Sequence, residues 1–202
     1  MLRCWVLFFL SMQVFPGYAL GNEQAGQVKS AVCAACHGEK GISLNPLWPN
    51  LAGQHARYLI KQLRDYKAGS SRQAPLMMPF AAALSDDDMA DLAAFYAKQP
   101  RMPAVSTEMF SDRVRGEELY RVGDVKLKIT ACIACHGPKG VGNDEAGFPV
   151  LVGQHADYAL AQLRAFKTST RSNDANAIMR TISSRMSVAD MRALVHYLAQ
   201  FH

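Results

Sequence analysis

Apolar residues recur along the chain at helical spacing, and the two clearest runs match each other. Met89, Leu92, Ala93 and Tyr96 form one apolar face, and Met191, Leu194, Val195 and Leu198 form another, so each run predicts an amphipathic helix. Ser85 and Ser187 stand at the N-caps, with Asp88 and Asp190 placed to complete a capping-box-like arrangement. Leu84 with Met89, and Met186 with Met191, occupy the staple positions on either side of those caps. Further upstream, Arg57 to Lys67 and Asp157 to Lys167 read as middle helices, with Leu59, Leu63 and Tyr66 on one side of the first. Ala25 to Cys36 is predicted as a short helix, and Asp112 to Arg121 opens the equivalent element with Gly116 and Tyr120 on one face. Val125 to Ile129 alternates apolar and basic residues, which suits either a short strand or an exposed loop, and it has no counterpart in the first half.

The pattern is that of a duplicated domain. Leu51-Ala52-Gly53-Gln54-His55-Ala56-Arg57-Tyr58 returns at an offset of 100 as Leu151-Val152-Gly153-Gln154-His155-Ala156-Asp157-Tyr158. The match continues through Gln62-Leu63-Arg64 and Gln162-Leu163-Arg164. Between the halves, Gln99-Pro100-Arg101-Met102-Pro103-Ala104 has two prolines and no period, as expected of a stiff linker. The expected layout is a first domain over 22–100, a linker over 101–108 and a second domain over 109–202. Residues 1–21 carry Arg3, an apolar run from Cys4 to Leu10, a Pro16-Gly17 break and small residues around Ala19-Leu20-Gly21. These are the parts of a secretory signal peptide, which implies export to the periplasm.

Cysteine usage then changes the picture. Of five cysteines, Cys4 belongs to the export signal and the other four form Cys33-Ala34-Ala35-Cys36-His37 and Cys132-Ile133-Ala134-Cys135-His136. Two thiols three positions apart on a helical turn can add to the two vinyl groups of one haem, and the next residue can present an imidazole to its iron. The surroundings offer neither a second pair of zinc ligands nor the βαβ frame of a thioredoxin-like pair. Each half is therefore expected to hold one covalent haem c, with His37 and His136 as axial ligands and Cys33, Cys36, Cys132 and Cys135 as attachment points. Pro49-Asn50-Leu51 and Pro149-Val150-Leu151 supply candidate carbonyls for the second ring nitrogen of each histidine.

The sixth iron ligand separates a carrier from a catalyst. Aligning the halves on Ser85 and Ser187 places Met77 and Met179 at one site, and a thioether there closes the coordination sphere. Met78 competes in the first half, and Met186 in the second although the staple claims it. His55 and His155 also coincide, but their place at the start of the middle helix suits a surface or propionate-side role. His196, without a partner in the first half, is expected to face solvent. The formal charge of +5 would be offset by haem propionates, and no basic run supports nucleic-acid binding.

Cys-x-x-Cys-His-Gly, a Pro-Asn-Leu-like loop, a methionine loop and a capped last helix resemble class I cytochrome c domains. Two in tandem, with the doubled Leu-x-Gly-Gln-His segments, Gly140-Val141-Gly142-Asn143 and Ala146-Gly147-Phe148-Pro149, resemble the dihaem cytochrome c4 family. The resemblance spans about Glu23 to His202. It implies an all-α fold of two cytochrome c domains, each wrapped around a covalent haem, packed face to face with propionates near the interface. It further implies a periplasmic electron carrier, soluble or loosely associated with the membrane surface. Such a carrier takes electrons from a quinol-oxidising complex or other donor, passes them to a haem–copper terminal oxidase and has no small-molecule substrate. A dihaem electron-transfer subunit of a dehydrogenase, such as that of flavocytochrome c sulfide dehydrogenase, is the alternative. Two departures stand out: Ser30 occupies the position of an expected aromatic, and the Met77-Met78 pair leaves the first ligand open.

Overall fold

A computed structural model describes residues 21–103 and 112–201; the proposed signal peptide lies outside these residues except for Gly21, as do part of the linker and His202. The regular elements among the described residues are helices, joined by loops that hold three isolated antiparallel bridges. In the first half they are α1 (Glu23–Lys29), α2 (Ala31–His37), α3 (Ala56–Ala68), α4 (Met78–Ala82) and α5 (Asp86–Lys98). The second half repeats the plan with α6 (Arg113–Arg121), α7 (Ile133–His136), α8 (Ala156–Lys167), α9 (Ile178–Arg185) and α10 (Val188–Leu198).

In each half the first helix crosses the last. The approach depends on a glycine: a Cβ at Gly26 would lie 2.0 Å from the Asp91 carbonyl oxygen, and one at Gly116 2.1 Å from that of Ala193. Only glycine lets the backbones come so close. The last helices carry the expected capping boxes, with Ser85 accepting from the Asp88 N–H and Ser187 from that of Asp190. Met186 and Met191 are fully buried beside the second cap, in a core with Leu119, Tyr120 and Leu194. The first core is smaller and centres on Leu59, Leu92, Phe95 and Tyr96.

One local expectation changes, and one alternative is decided in favour of the exposed loop. The stretch predicted as one helix over Ala25 to Cys36 breaks at Ser30, whose hydroxyl donates to the Gln27 carbonyl at 2.8 Å and so competes with the helical ladder. The Val125 to Ile129 segment is a tight turn closed by reciprocal Asp124 and Ile129 backbone hydrogen bonds of 2.9 and 2.8 Å, with Lys128 at φ 56°.

The two halves meet across a pseudo-twofold interface built from the repeated segment. The Gln54 carboxamide donates to the Val150 carbonyl at 3.0 Å and accepts its N–H at 2.9 Å; Gln154 makes the same pair with Asn50, both at 2.9 Å. His55 Nε2 lies 2.9 Å from the Val141 carbonyl, and His155 Nε2 2.9 Å from that of Ser43. Arg72 and Arg171, 4% and 6% exposed, pair through their backbones. Arg72 donates to the Tyr158 hydroxyl at 2.8 Å and Arg171 to that of Tyr58 at 2.9 Å, while each guanidinium lies over an aromatic ring of its own half, Tyr66 or Phe166. Burial would push the Tyr58 phenol up, but the two guanidinium charges outweigh it and hold the phenol below its ordinary range. The described part of the linker follows this seam, with Arg101 donating to the Gly53 carbonyl at 3.2 Å.

Candidate functional site

Each Cys-x-x-Cys-His motif lies on a short helix that ends at its histidine. Cys33, Cys36 and His37 lie on α2; Cys132 caps α7, which carries Cys135 and His136. Both helices stop at a glycine with φ 74°, Gly38 or Gly137, a conformation that turns the chain away at once.

The two histidines are 6% and 7% exposed, and each Nδ1 faces the proline carbonyl anticipated from the spacing: Pro49 at 2.9 Å and Pro149 at 3.0 Å. A carbonyl can only accept, so Nδ1 carries the proton and the neutral ring keeps its free lone pair on Nε2. Burial lowers both histidine pKa values, which favours that neutral form. The four cysteines are half-buried and none forms a disulfide. Among the described residues no cluster of three or more His, Cys, Asp or Glu could hold a bare metal ion. Paired cysteines, an imidazole presenting Nε2 and, in the first half, a cleft beside Cys36 lined by Ala34, Ala35, Gly38, Leu44, Pro46 and Trp48 fit a covalently attached haem.

Met77 is the N-cap of α4 and Met179 lies in the first turn of α9; both are half-buried, and Met179 packs against the second core. Of their rivals, Met78 is half-buried like Met77, and Met186 belongs to the second core. The Met78 methyl lies 3.1 Å from where a Gly69 Cβ would be, against the end of α3, and Met186 is 1% exposed in the core. His55 and His155 serve the domain interface, and His196 pairs with the Asp112 carboxylate at 3.1 Å instead of facing solvent.

The aromatic absent at Ser30 has a replacement from another helix. In the second half Tyr120 is fully buried, donates to the Gly137 carbonyl at 2.5 Å and packs edge-on against Phe201, which covers Gly140. In the first half Tyr96, on the last helix, covers the equivalent Gly41. Its hydroxyl is buried beside Cys33 and Ser30 without a well-formed hydrogen bond to either.

The residues that the motif reading missed are those of the interface: Gln54, Gln154, Arg72, Arg171, Tyr58 and Tyr158. A signal was present, because Gln54, Tyr58 and Gln62 recur as Gln154, Tyr158 and Gln162 at a four-residue spacing, where a duplicated but solvated face would have no reason to keep its polar residues.

Two such arrangements in one chain define a dihaem c-type cytochrome. The cytochrome c family pattern matches residues 23–99 and 114–201. Cytochrome c4 of Thiocapsa roseopersicina is 44% identical over 182 residues, covering 89% of this chain and 92% of the relative. The crystal structure of reduced recombinant cytochrome c4 from Pseudomonas stutzeri superposes with a TM-score of 0.83 at 41% identity, covering 90% of this chain and all of that one. The thiosulfate dehydrogenase electron acceptor of Stutzerimonas stutzeri (strain A1501) is 36% identical over 197 residues, covering 96% of this chain and 90% of the relative. The chain belongs to the cytochrome c family and, within it, to the dihaem cytochrome c4 family. It carries two covalent haem c groups and is an electron-transfer protein, not an enzyme.

Proposed function

We propose that this chain is a periplasmic carrier whose haems are attached at Cys33 and Cys36 and at Cys132 and Cys135, with His37 and Met77 and with His136 and Met179 as axial pairs. The observation that carries the reading is the locked imidazole: in both halves a buried histidine gives its Nδ1 proton to a proline carbonyl and has only Nε2 left to offer. The engagement of Met78 against Gly69 and of Met186 in the core supports Met77 and Met179. Haem supplies a one-electron iron couple. His37 with Met77 and His136 with Met179 would hold each iron on both sides, and a site closed in this way would pass electrons without binding a substrate. Among the described residues no helix is long and apolar enough to cross a membrane, and the apolar, cleavable-looking start of the chain supports export. Delivery of electrons from a quinol-oxidising complex to a haem–copper terminal oxidase, with loose attachment to the membrane surface, is the route that the family resemblance implies.

The near-infrared absorption of the oxidised protein tests the ligands. The methionine-to-ferric-iron band is expected in the parent and falls by about half in Met77→Ala and in Met179→Ala; a variant that leaves the band intact has the wrong methionine. A second reading is favoured by the thiosulfate dehydrogenase electron acceptor that matches almost the whole chain: a dedicated acceptor for a dehydrogenase. The two readings part on whether a thiosulfate dehydrogenase or a quinol-oxidising complex reduces the oxidised protein faster.

A further inference from the structure

The interface glutamines touch the same peptide groups that hold the axial histidines. Pro49 C=O and Asn50 N–H belong to one peptide unit; the carbonyl accepts from His37 Nδ1 at 2.9 Å and the N–H donates to Gln154 Oε1 at 2.9 Å. In the other half the unit Pro149 C=O and Val150 N–H accepts from His136 at 3.0 Å and donates to Gln54 Oε1 at 2.9 Å. Each glutamine therefore belongs to the half opposite the histidine it reaches. The carboxamides have one possible orientation, because Oε1 also accepts the N–H of the following histidine at 3.0 Å in both copies, while Nε2 donates to the Val150 or Asn50 carbonyl. Gln54 is 7% exposed and its acceptor bond from Val150 is buried, so water does not screen this contact.

A peptide whose N–H is engaged is a stronger acceptor at its carbonyl, because hydrogen bonds in series polarise one another. A stronger acceptor draws the Nδ1 proton away from the imidazole and makes Nε2 a better donor to iron, which favours the ferric state.

We propose that Gln154 and Gln54 are crossed positioning residues: each polarises, through a single peptide group, the axial histidine of the opposite domain and lowers the reduction potential of the haem there. This rests on His37 and His136 as axial ligands. The arrangement lets the docking of the two domains set both potentials. A separated domain would lose the chain of hydrogen bonds at its own histidine.

The test is Gln154→Leu and Gln54→Leu in the full-length dihaem protein, with each haem's potential and the Nδ1–H proton resonance of each histidine measured in the reduced state. Gln154→Leu is expected to make reduction of the first-domain haem two- to threefold more favourable, about 18–28 mV at 59 mV per tenfold for one electron. It also moves the His37 Nδ1–H resonance upfield and leaves His136 in place; Gln54→Leu does the reverse. A shift confined to the glutamine's own domain, equal shifts in both, or none would overturn the proposal. Should either variant separate or unfold, the parent still decides. Trans-hydrogen-bond couplings from Asn50 N to the Gln154 carboxamide carbon, and from His37 Nδ1 to the Pro49 carbonyl carbon, are expected, and their absence overturns it. Failure of the ligand assignment is recognisable separately, since the ring protons of an axial histidine move far upfield in the porphyrin ring current and those of a non-ligand do not.

Discussion

The second half fills the space behind its haem motif with an aromatic from its first helix, Tyr120, and the first half does so with one from its last, Tyr96. The backbone frame is the same in both: a first helix crossing a last helix at a glycine, a histidine bonded to a proline carbonyl and a capped final helix. What differs is the satisfaction of the phenol. Tyr120 has the Gly137 carbonyl as acceptor, whereas the Tyr96 hydroxyl lies buried beside Cys33 and Ser30 without a well-formed hydrogen bond. The capping aspartates follow the same logic: Asp88 pairs with Lys29 near the end of α1, and Asp190 with Arg115 near the start of α6. The methionine loops also diverge. Between Arg72 and Met77 the chain runs through Pro75; between Arg171 and Met179 it is three residues longer and passes through Asn176 and Ala177 at φ 52° and 54°. A duplicated fold thus keeps its backbone crossings and lets side chains reach one packing solution from different helices.

The largest expected effect strikes what the halves share. Gly26→Ala and Gly116→Ala each drive a methyl into a backbone carbonyl and are expected to cost about 3 kcal/mol or more. Calorimetry of the two variants should show similar losses; a tolerated Gly116→Ala would mean that the crossing of α6 and α10 can open. The tyrosines should then break the symmetry with opposite signs. Tyr120→Phe removes one of the two donors to the Gly137 carbonyl, which keeps the Gly140 N–H, and is expected to destabilise by about 1 kcal/mol, while Tyr96→Phe removes a buried hydroxyl that lacks a well-formed hydrogen bond and is expected to stabilise by up to about 1 kcal/mol. Denaturant unfolding of both variants checks this, and a loss in Tyr96→Phe would show that its hydroxyl has a partner in the haem-loaded protein.

The smallest effect concerns acid stability. Burial would raise the Asp190 pKa, but Arg115 and the Ser187 cap outweigh it and hold the carboxyl below its ordinary range. The Leu127 N–H, then Arg115, hold Asp124 low as well. Groups with depressed native pKa values stabilise the fold above the unfolded value near pH 4, and that contribution fades as pH falls through the native value. Arg115→Met is therefore expected to lower the unfolding midpoint by about 3 °C at pH 7 and by less at pH 2. An equal loss at both pH values would assign the effect to packing of the arginine stem.

Helix positions were legible because period and capping are local: Ser85 and Ser187, with an aspartate three residues on, mark their helices without reference to anything distant. The break at Ser30 was not legible, since it depends on a hydroxyl choosing the Gln27 carbonyl over solvent. His196 was misread for a similar reason: its partner Asp112 is 84 residues away. At the haem motifs, chemistry prescribes spacing, so Cys-x-x-Cys-His names its cofactor wherever it stands. Met77 and Met78 are neighbours in one dimension, and only the fold shows that the Met78 methyl lies near Gly69 at the end of α3.

The sequence by itself determined the number of domains, the helical class, the covalent cofactor and the proline carbonyls that hold the histidines, because each depends on covalent order or short-range geometry. Only the tertiary structure decided what the repeated Gly-Gln-His-x-x-Tyr segment is for. A polar side chain states what it can bond to but not where that partner will be. Folding both halves across a pseudo-twofold axis is what places Gln154 on Asn50, Gln54 on Val150 and each buried arginine on the opposite tyrosine.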